Sequence, residues 1–139
     1  MIIESLYAYF ATLFFAVVFN APKKSIFITG INGCIGWLIY SYFYNTYHSP
    51  ILGSFLGALA VGILSEYLAR YFKMPATIFL TSGIIPLVPG TGLYYTMLRL
   101  VLDQYSDAAH MAIETIFIAG SIAAAIAISS SLFKKTKRG

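Results

Sequence analysis

The chain has 139 residues, of which 59% are hydrophobic and 10% charged, and its mean hydropathy is +0.79. Soluble domains carry about 25% charged residues, so the composition excludes an ordinary soluble globule and indicates a membrane-embedded chain. The net charge of +4 comes from basic residues that flank apolar runs, which marks membrane orientation rather than nucleic-acid binding. Those runs occupy almost the whole length and leave no room for a separate soluble catalytic domain.

Five apolar segments are readable, at residues 5–20, 25–44, 50–71, 75–104 and 107–133, near the roughly 20 residues that one membrane span requires. They predict an all-α bundle of about five transmembrane helices, one transmembrane domain over residues 1–133, followed by a basic tail at 134–139. The first segment begins beside Glu4 rather than a basic residue and is followed by Lys23 and Lys24. That pattern reads as a retained span with its N-terminus outside, not as a signal peptide.

The second segment follows the turn Ala21-Pro22-Lys23-Lys24 and carries Gly30, Gly33 and Gly36, with Asn32 as its mid-depth polar group. Its lone Cys34, the single cysteine of the chain, reads as a small packing residue. Tyr40, Tyr42, Phe43, Tyr44 and Tyr47 crowd its end and read as part of an interfacial aromatic belt. Pro50 then opens the third segment at a first-turn position, where a missing N–H costs nothing. Gly53-Ser-Phe-Leu-Gly57 is a GxxxG motif continued by Ala58 and Gly62, a stripe that lets helix backbones approach closely. Glu66 and Arg70 stand at i,i+4 with the acid first, either as an interfacial ion pair or as part of an inner gate.

The fourth segment contains Ile84-Ile-Pro-Leu-Val-Pro-Gly-Thr-Gly-Leu-Tyr-Tyr95. Proline removes a backbone donor and kinks or stops a helix, and glycine loosens it. In lipid a freed backbone group is tolerated only where protein or a water-filled cavity satisfies it, so an interruption at Pro86–Gly92 is a common sign of a transport pathway, with a packing kink that holds no ligand as the alternative. From Pro75 to Pro89 is about 21 Å of helix, which puts the break near mid-membrane. A second half-helix starting at Thr91 would present N–H groups with partial positive charge, suited to a carboxylate. The candidate substrate-binding residues are therefore Pro86, Pro89, Gly90, Thr91, Gly92 and Tyr94, with Asn32 at similar depth.

In the fifth segment Gly120, Ala124 and Ser131 thin the helix for packing, and His110 and Glu114 form an i,i+4 pair. A histidine beside a carboxylate exchanges protons near neutral pH, so this pair is a candidate for proton coupling, against a plain capping or interfacial role. Glu4, Asp103 and Asp107 fall at the outer interface. No metal-ligand set, cysteine pair or Ser/His/Asp order is present, and Gly90-Thr-Gly92 lacks the lysine of a phosphate loop. The sequence thus calls for neither cofactor nor metal, and an enzyme is the least supported class.

Charge fixes the expected orientation. If all five segments span, Lys23, Lys24, Arg70, Lys73, Lys134, Lys135, Lys137 and Arg138 share one side and only Arg99 faces the other, eight against one. This positive-inside bias places the tail in the cytoplasm. A re-entrant fourth segment would turn the split into five against four and erase the bias, so a spanning but interrupted segment is expected.

The stretch Ile85-Pro-Leu-Val-Pro-Gly-Thr-Gly-Leu-Tyr94 resembles the signature of the threonine/serine exporter family. More narrowly, the chain resembles the small-subunit type, which matches the C-terminal half of the fused exporters. Val18-Phe-Asn-Ala-Pro-Lys23, the glycine-rich second span and the approach from Arg70 to Pro75 fit as well. The resemblance implies a bacterial or archaeal inner-membrane exporter of threonine and serine, or of succinate in the split type, that works with a larger subunit of the same family. Pro86, Pro89, Gly90 and Tyr94 are the motif positions that carry over. Alternating access around the broken helix, driven by the proton gradient, would be the mechanism. Two other classes fit the residues: a homo-oligomeric channel, and a non-transporting assembly or anchoring subunit. The topology is checked by a reporter fused after Arg138, expected to be active only on the cytoplasmic side; activity only outside would overturn it.

Overall fold

Each described element is a helix, and the sequence explains where each one stops. The computed structural model describes residues 1–138, with side chains described through Lys135, so Gly139 and the side chains of Thr136, Lys137 and Arg138 lie outside the described residues. Helix α1 runs Ile2–Val18, α2 Lys23–Tyr47 and α3 Pro50–Phe72; α4 is short, Ala76–Gly83, and a 3-10 turn follows at Ile85–Leu87. Helix α5 runs Gly90–Val101 and α6 Tyr105–Arg138. The four connections between full-length elements each turn through one non-glycine residue with positive φ: Asn20, His48, Lys73 and Asp103. Pro22 stands at the start of α2. The Ser49 hydroxyl accepts the Leu52 N–H at 3.3 Å at the start of α3, with Pro50 in its first turn.

The interruption of the fourth segment lies at residues 84–89, slightly before the expected 86–92, and Gly90 is already helical. The prolines decide this. Pro86 and Pro89 lack the N–H that a continuing helix needs, and each disfavours helical backbone in the residue before it. Val88, ahead of Pro89, is extended at φ −60° and ψ 130°. Glycine only permits other conformations, and no described glycine has positive φ, so Gly90 and Gly92 simply join the first turn of α5. At the break the axis bends by 49°, a deflection rather than a reversal.

Helix α2 lies between α1 and α3, α6 packs on the far side of α3, and α4 rests on α1, α2 and α3. Helix α5 touches α6 alone. The core is Ala58, Val61, Leu87, Ile122 and Ala125, while Ser25, Thr29, Ser54, Ser65 and Ser129 are buried with it. Large residues such as Ile2, Phe14, Phe27, Ile116 and Phe117 face outward. Small and hydroxyl-bearing inside, large and apolar outside, is the pattern of helices packed in lipid. Three helices, α2, α3 and α6, are long and apolar enough to cross a membrane, and the bent pair of α4 with its turn and α5 makes a fourth when taken as one span. Helix α1, at 17 residues, is about 25 Å long, at the short limit for a span.

The closest backbone approach joins α2 to α3. A Cβ on Gly57 would lie 2.8 Å from the Gly36 carbonyl oxygen, a backbone atom that cannot step aside. Gly57→Leu should therefore lose about 1–3 kcal/mol through overpacking, read as a lower melting temperature in detergent from Trp37 fluorescence. Gly120→Leu is the matched control, because nothing lies within 4 Å of its Cβ position.

Candidate functional site

The bend at the break lifts α5 off the bundle, and the space beneath it is a cavity of about 620 Å³. All seven residues from Pro86 to Gly92 line it, together with Tyr95. Trp37, Tyr40 and Tyr44 of α2 form the facing wall, with His48, Pro50 and Ser54 from the turn into α3, and Met111, Glu114, Thr115 and Ile118 close the α6 side.

Two features hold α5 in this position. A Cβ on Gly92 would run into the Thr115 hydroxyl, so only glycine allows α5 and α6 to meet there. At the other end of α5, Arg99 Nη1 donates to Asp107 Oδ2 at 3.2 Å and to Gln104 Oε1 at 2.8 Å. That pair is half-exposed and is worth at most about 1 kcal/mol, so the Gly92 contact matters more. Gly90 differs from Gly92: it lines the cavity with no atom within 4 Å of its Cβ position.

The electrostatics of the cavity are uneven. No side chain caps the N-terminus of α5; the Gly90 N–H donates to the Val88 carbonyl at 2.8 Å, so the partial positive charge of the first turn is presented by the N–H groups of Thr91 and Gly92. Glu114 is the one carboxylate among the lining residues, and it enters no ion pair with a described residue. No lysine or arginine lines the cavity. Among the described residues no group of three His, Cys, Asp or Glu could hold a metal ion.

Of the residues singled out in the sequence, Pro86, Pro89, Gly90, Thr91, Gly92 and Glu114 come together in this cavity, whereas Tyr94 and His110 are not among its lining. Tyr95 takes the place of Tyr94, because it lies one turn on from Gly92, the residue that presses α5 against α6. Asn32 is buried outside the cavity. Its Nδ2 donates to Ser65 Oγ at 2.9 Å and to the Phe79 carbonyl at 3.4 Å, tying α2 to α3 and α4 directly before the break. Its Oδ1, the Thr12 hydroxyl and the Ser82 hydroxyl are buried without a hydrogen-bond partner.

Glu66 and Arg70 do not form the expected ion pair. Arg70 turns to α6, where Nη2 donates to the Phe133 carbonyl at 3.3 Å and the guanidinium sits 4.9 Å from the Phe133 ring centre. Both residues line a separate hollow of about 400 Å³ beside Lys73 and Pro75. The sequence reading missed Trp37, Tyr40, Tyr44 and His48 as cavity residues, while the Tyr95 phenol, offered by the sequence beside that of Tyr94, does line the cavity. The signal for the first three was their spacing at i, i+3 and i+7, one face of a helix.

The arrangement defines a membrane-embedded helical protein whose proline-broken helix borders a half-open cavity. Comparison with known proteins then supplies the family. The profile of the threonine/serine exporter (ThrE) family matches residues 4–132. A protein of Corynebacterium glutamicum named as a threonine/serine exporter is 33% identical over 118 residues, 85% of this chain and 22% of that protein. A Haemophilus influenzae protein described as uncharacterized is 26% identical over 145 aligned positions, 99% of this chain and 49% of its own. No solved structure matches. The chain belongs to the threonine/serine exporter family, and it spans half or less of the length of these relatives.

The contrast between the two glycines is testable. Gly92→Val should lower the melting temperature by an amount equivalent to about 1–3 kcal/mol of overpacking, while Gly90→Val should leave it unchanged. Equal melting of both variants in detergent would mean that the α5–α6 contact does not hold the cavity open.

Proposed function

We propose that this chain is a subunit of an inner-membrane exporter of small carboxylate-bearing metabolites, threonine and serine or a dicarboxylate such as succinate. The observation that carries the reading is that the seven consecutive motif residues Pro86 to Gly92 border one cavity. A substrate carboxylate sits against the uncapped start of α5, where N–H groups and the Thr91 hydroxyl receive it without a buried cation. Alternating access follows from movement of α5, the helix held by the fewest neighbours, about the proline break. The proton gradient drives the cycle. The N-terminus lies outside and the basic end of α6 in the cytoplasm, in keeping with the charge distribution.

A larger subunit of the same family completes the pathway. Relatives that carry at least as much chain again, and a helix α5 left bare on every side but that of α6, both support a second half that closes the open side. The test is export by cells of the native host loaded with threonine- or serine-containing peptides or with a C4-dicarboxylate. Deletion of the chain should raise one internal pool, and the intact gene should restore it. Gly90→Leu should insert normally, because no atom lies within 4 Å of its Cβ position, yet fail to restore export, because the side chain occupies the cavity that Gly90 lines. Normal export by that variant would refute the role given to the break.

A further inference from the structure

We infer that Glu114, with the aromatic wall of Trp37, Tyr40 and Tyr44, is an ammonium-binding site that makes the cavity selective for zwitterionic amino acids over dicarboxylates. The inference rests on the export reading and narrows its substrate class. Three observations carry it. Glu114 is the sole carboxylate lining the cavity, no lysine or arginine lines it, and no basic group pairs with Glu114 among the described residues. Its charge therefore remains available to a ligand.

The second observation concerns the facing wall. The ring centroids of Trp37 and Tyr40 are 5.0 Å apart, and those of Tyr40 and Tyr44 are 5.7 Å apart with the planes only 15° from parallel. These three residues line the cavity, whereas Tyr42 and Tyr47 of the same helix do not. Aromatic faces attract a cation, most strongly where it is shielded from water. A carboxylate opposite such a wall is a site for an alkylammonium group.

The third is polarity across the cavity. The start of α5 offers positive ends of N–H dipoles, and Glu114 on α6 offers negative charge. An α-amino acid places its carboxylate at the first and its ammonium at the second. A dicarboxylate brings its second negative charge against Glu114, which repels it.

The test uses membrane vesicles from the native host containing the whole exporter, with equilibrium binding of labelled L-threonine displaced by unlabelled L-threonine or by 3-hydroxybutyrate. The second probe is L-threonine with the ammonium group replaced by hydrogen. In the unaltered protein L-threonine should bind at least about tenfold more tightly than 3-hydroxybutyrate, the scale of one charge-assisted contact. Glu114→Gln should weaken L-threonine to the level of 3-hydroxybutyrate and leave 3-hydroxybutyrate unchanged, and Glu114→Asp should recover part of the difference. Tyr44→Leu should fall between the unaltered protein and Glu114→Gln. Unchanged L-threonine binding in Glu114→Gln, or an equal loss of both ligands, overturns the ammonium site while leaving the export reading intact. Absence of binding by the unaltered exporter overturns both.

Discussion

Two missing backbone donors organise this molecule. Inside a bilayer nearly all N–H and C=O groups must find a partner within the protein, and Pro86 and Pro89 withdraw two N–H groups from the middle of an apolar helix. The chain responds with a short 3-10 turn and an extended Val88, and the axis leaves at 49°. Because of that bend α5 cannot lie along the bundle. It leans on α6 alone, and the volume it vacates is the cavity. Asn32 steadies the approach by joining α2 to the Ser65 hydroxyl and the Phe79 carbonyl, so the break occurs against a fixed support.

Glycine has a different task here from the one it has in soluble proteins. The chain has eleven glycines, yet none of those described sits at positive φ, and the tight turns fall to Asn20, His48, Lys73 and Asp103. Glycines instead stand where helices cross, as at Gly36 against Gly57 and Gly92 against Thr115. In lipid there is no hydrophobic gain from bringing two apolar helices together, so close van der Waals packing has to hold them. Gly90 and Gly120 are the exceptions, with no atom within 4 Å of the Cβ position, and of the two Gly90 lines the cavity.

The features legible in the sequence were those with local causes. Helical periodicity is unnecessary when the runs are apolar throughout, and proline acts on its own neighbours, so the helical class and the break could be read directly. Faces could not. Tyr40 and Tyr44 were indistinguishable from the interfacial aromatics beside them, because only the position of α6 and of the break decides which side of α2 meets a cavity. Tyr94 and Tyr95 are adjacent, and the Gly92–Thr115 contact chooses between them. Glu66 and Arg70 had the right spacing to pair, but Phe133, 63 residues further along, took the guanidinium. In each case the deciding contact is distant in sequence, and spacing carries no information about it.

The central claim is that the broken helix borders a water-accessible, ligand-occupied space. Its most direct test is thiol labelling of Thr91→Cys and Tyr95→Cys in a Cys34→Ser background, with a membrane-impermeant maleimide applied to intact cells and to inverted vesicles. The account predicts labelling of both positions from at least one side, suppressed by L-threonine or L-serine. Positions that stay unlabelled from both sides, while Tyr47→Cys, exposed and outside the cavity lining, reacts, would mean that the break is sealed packing and would contradict the account.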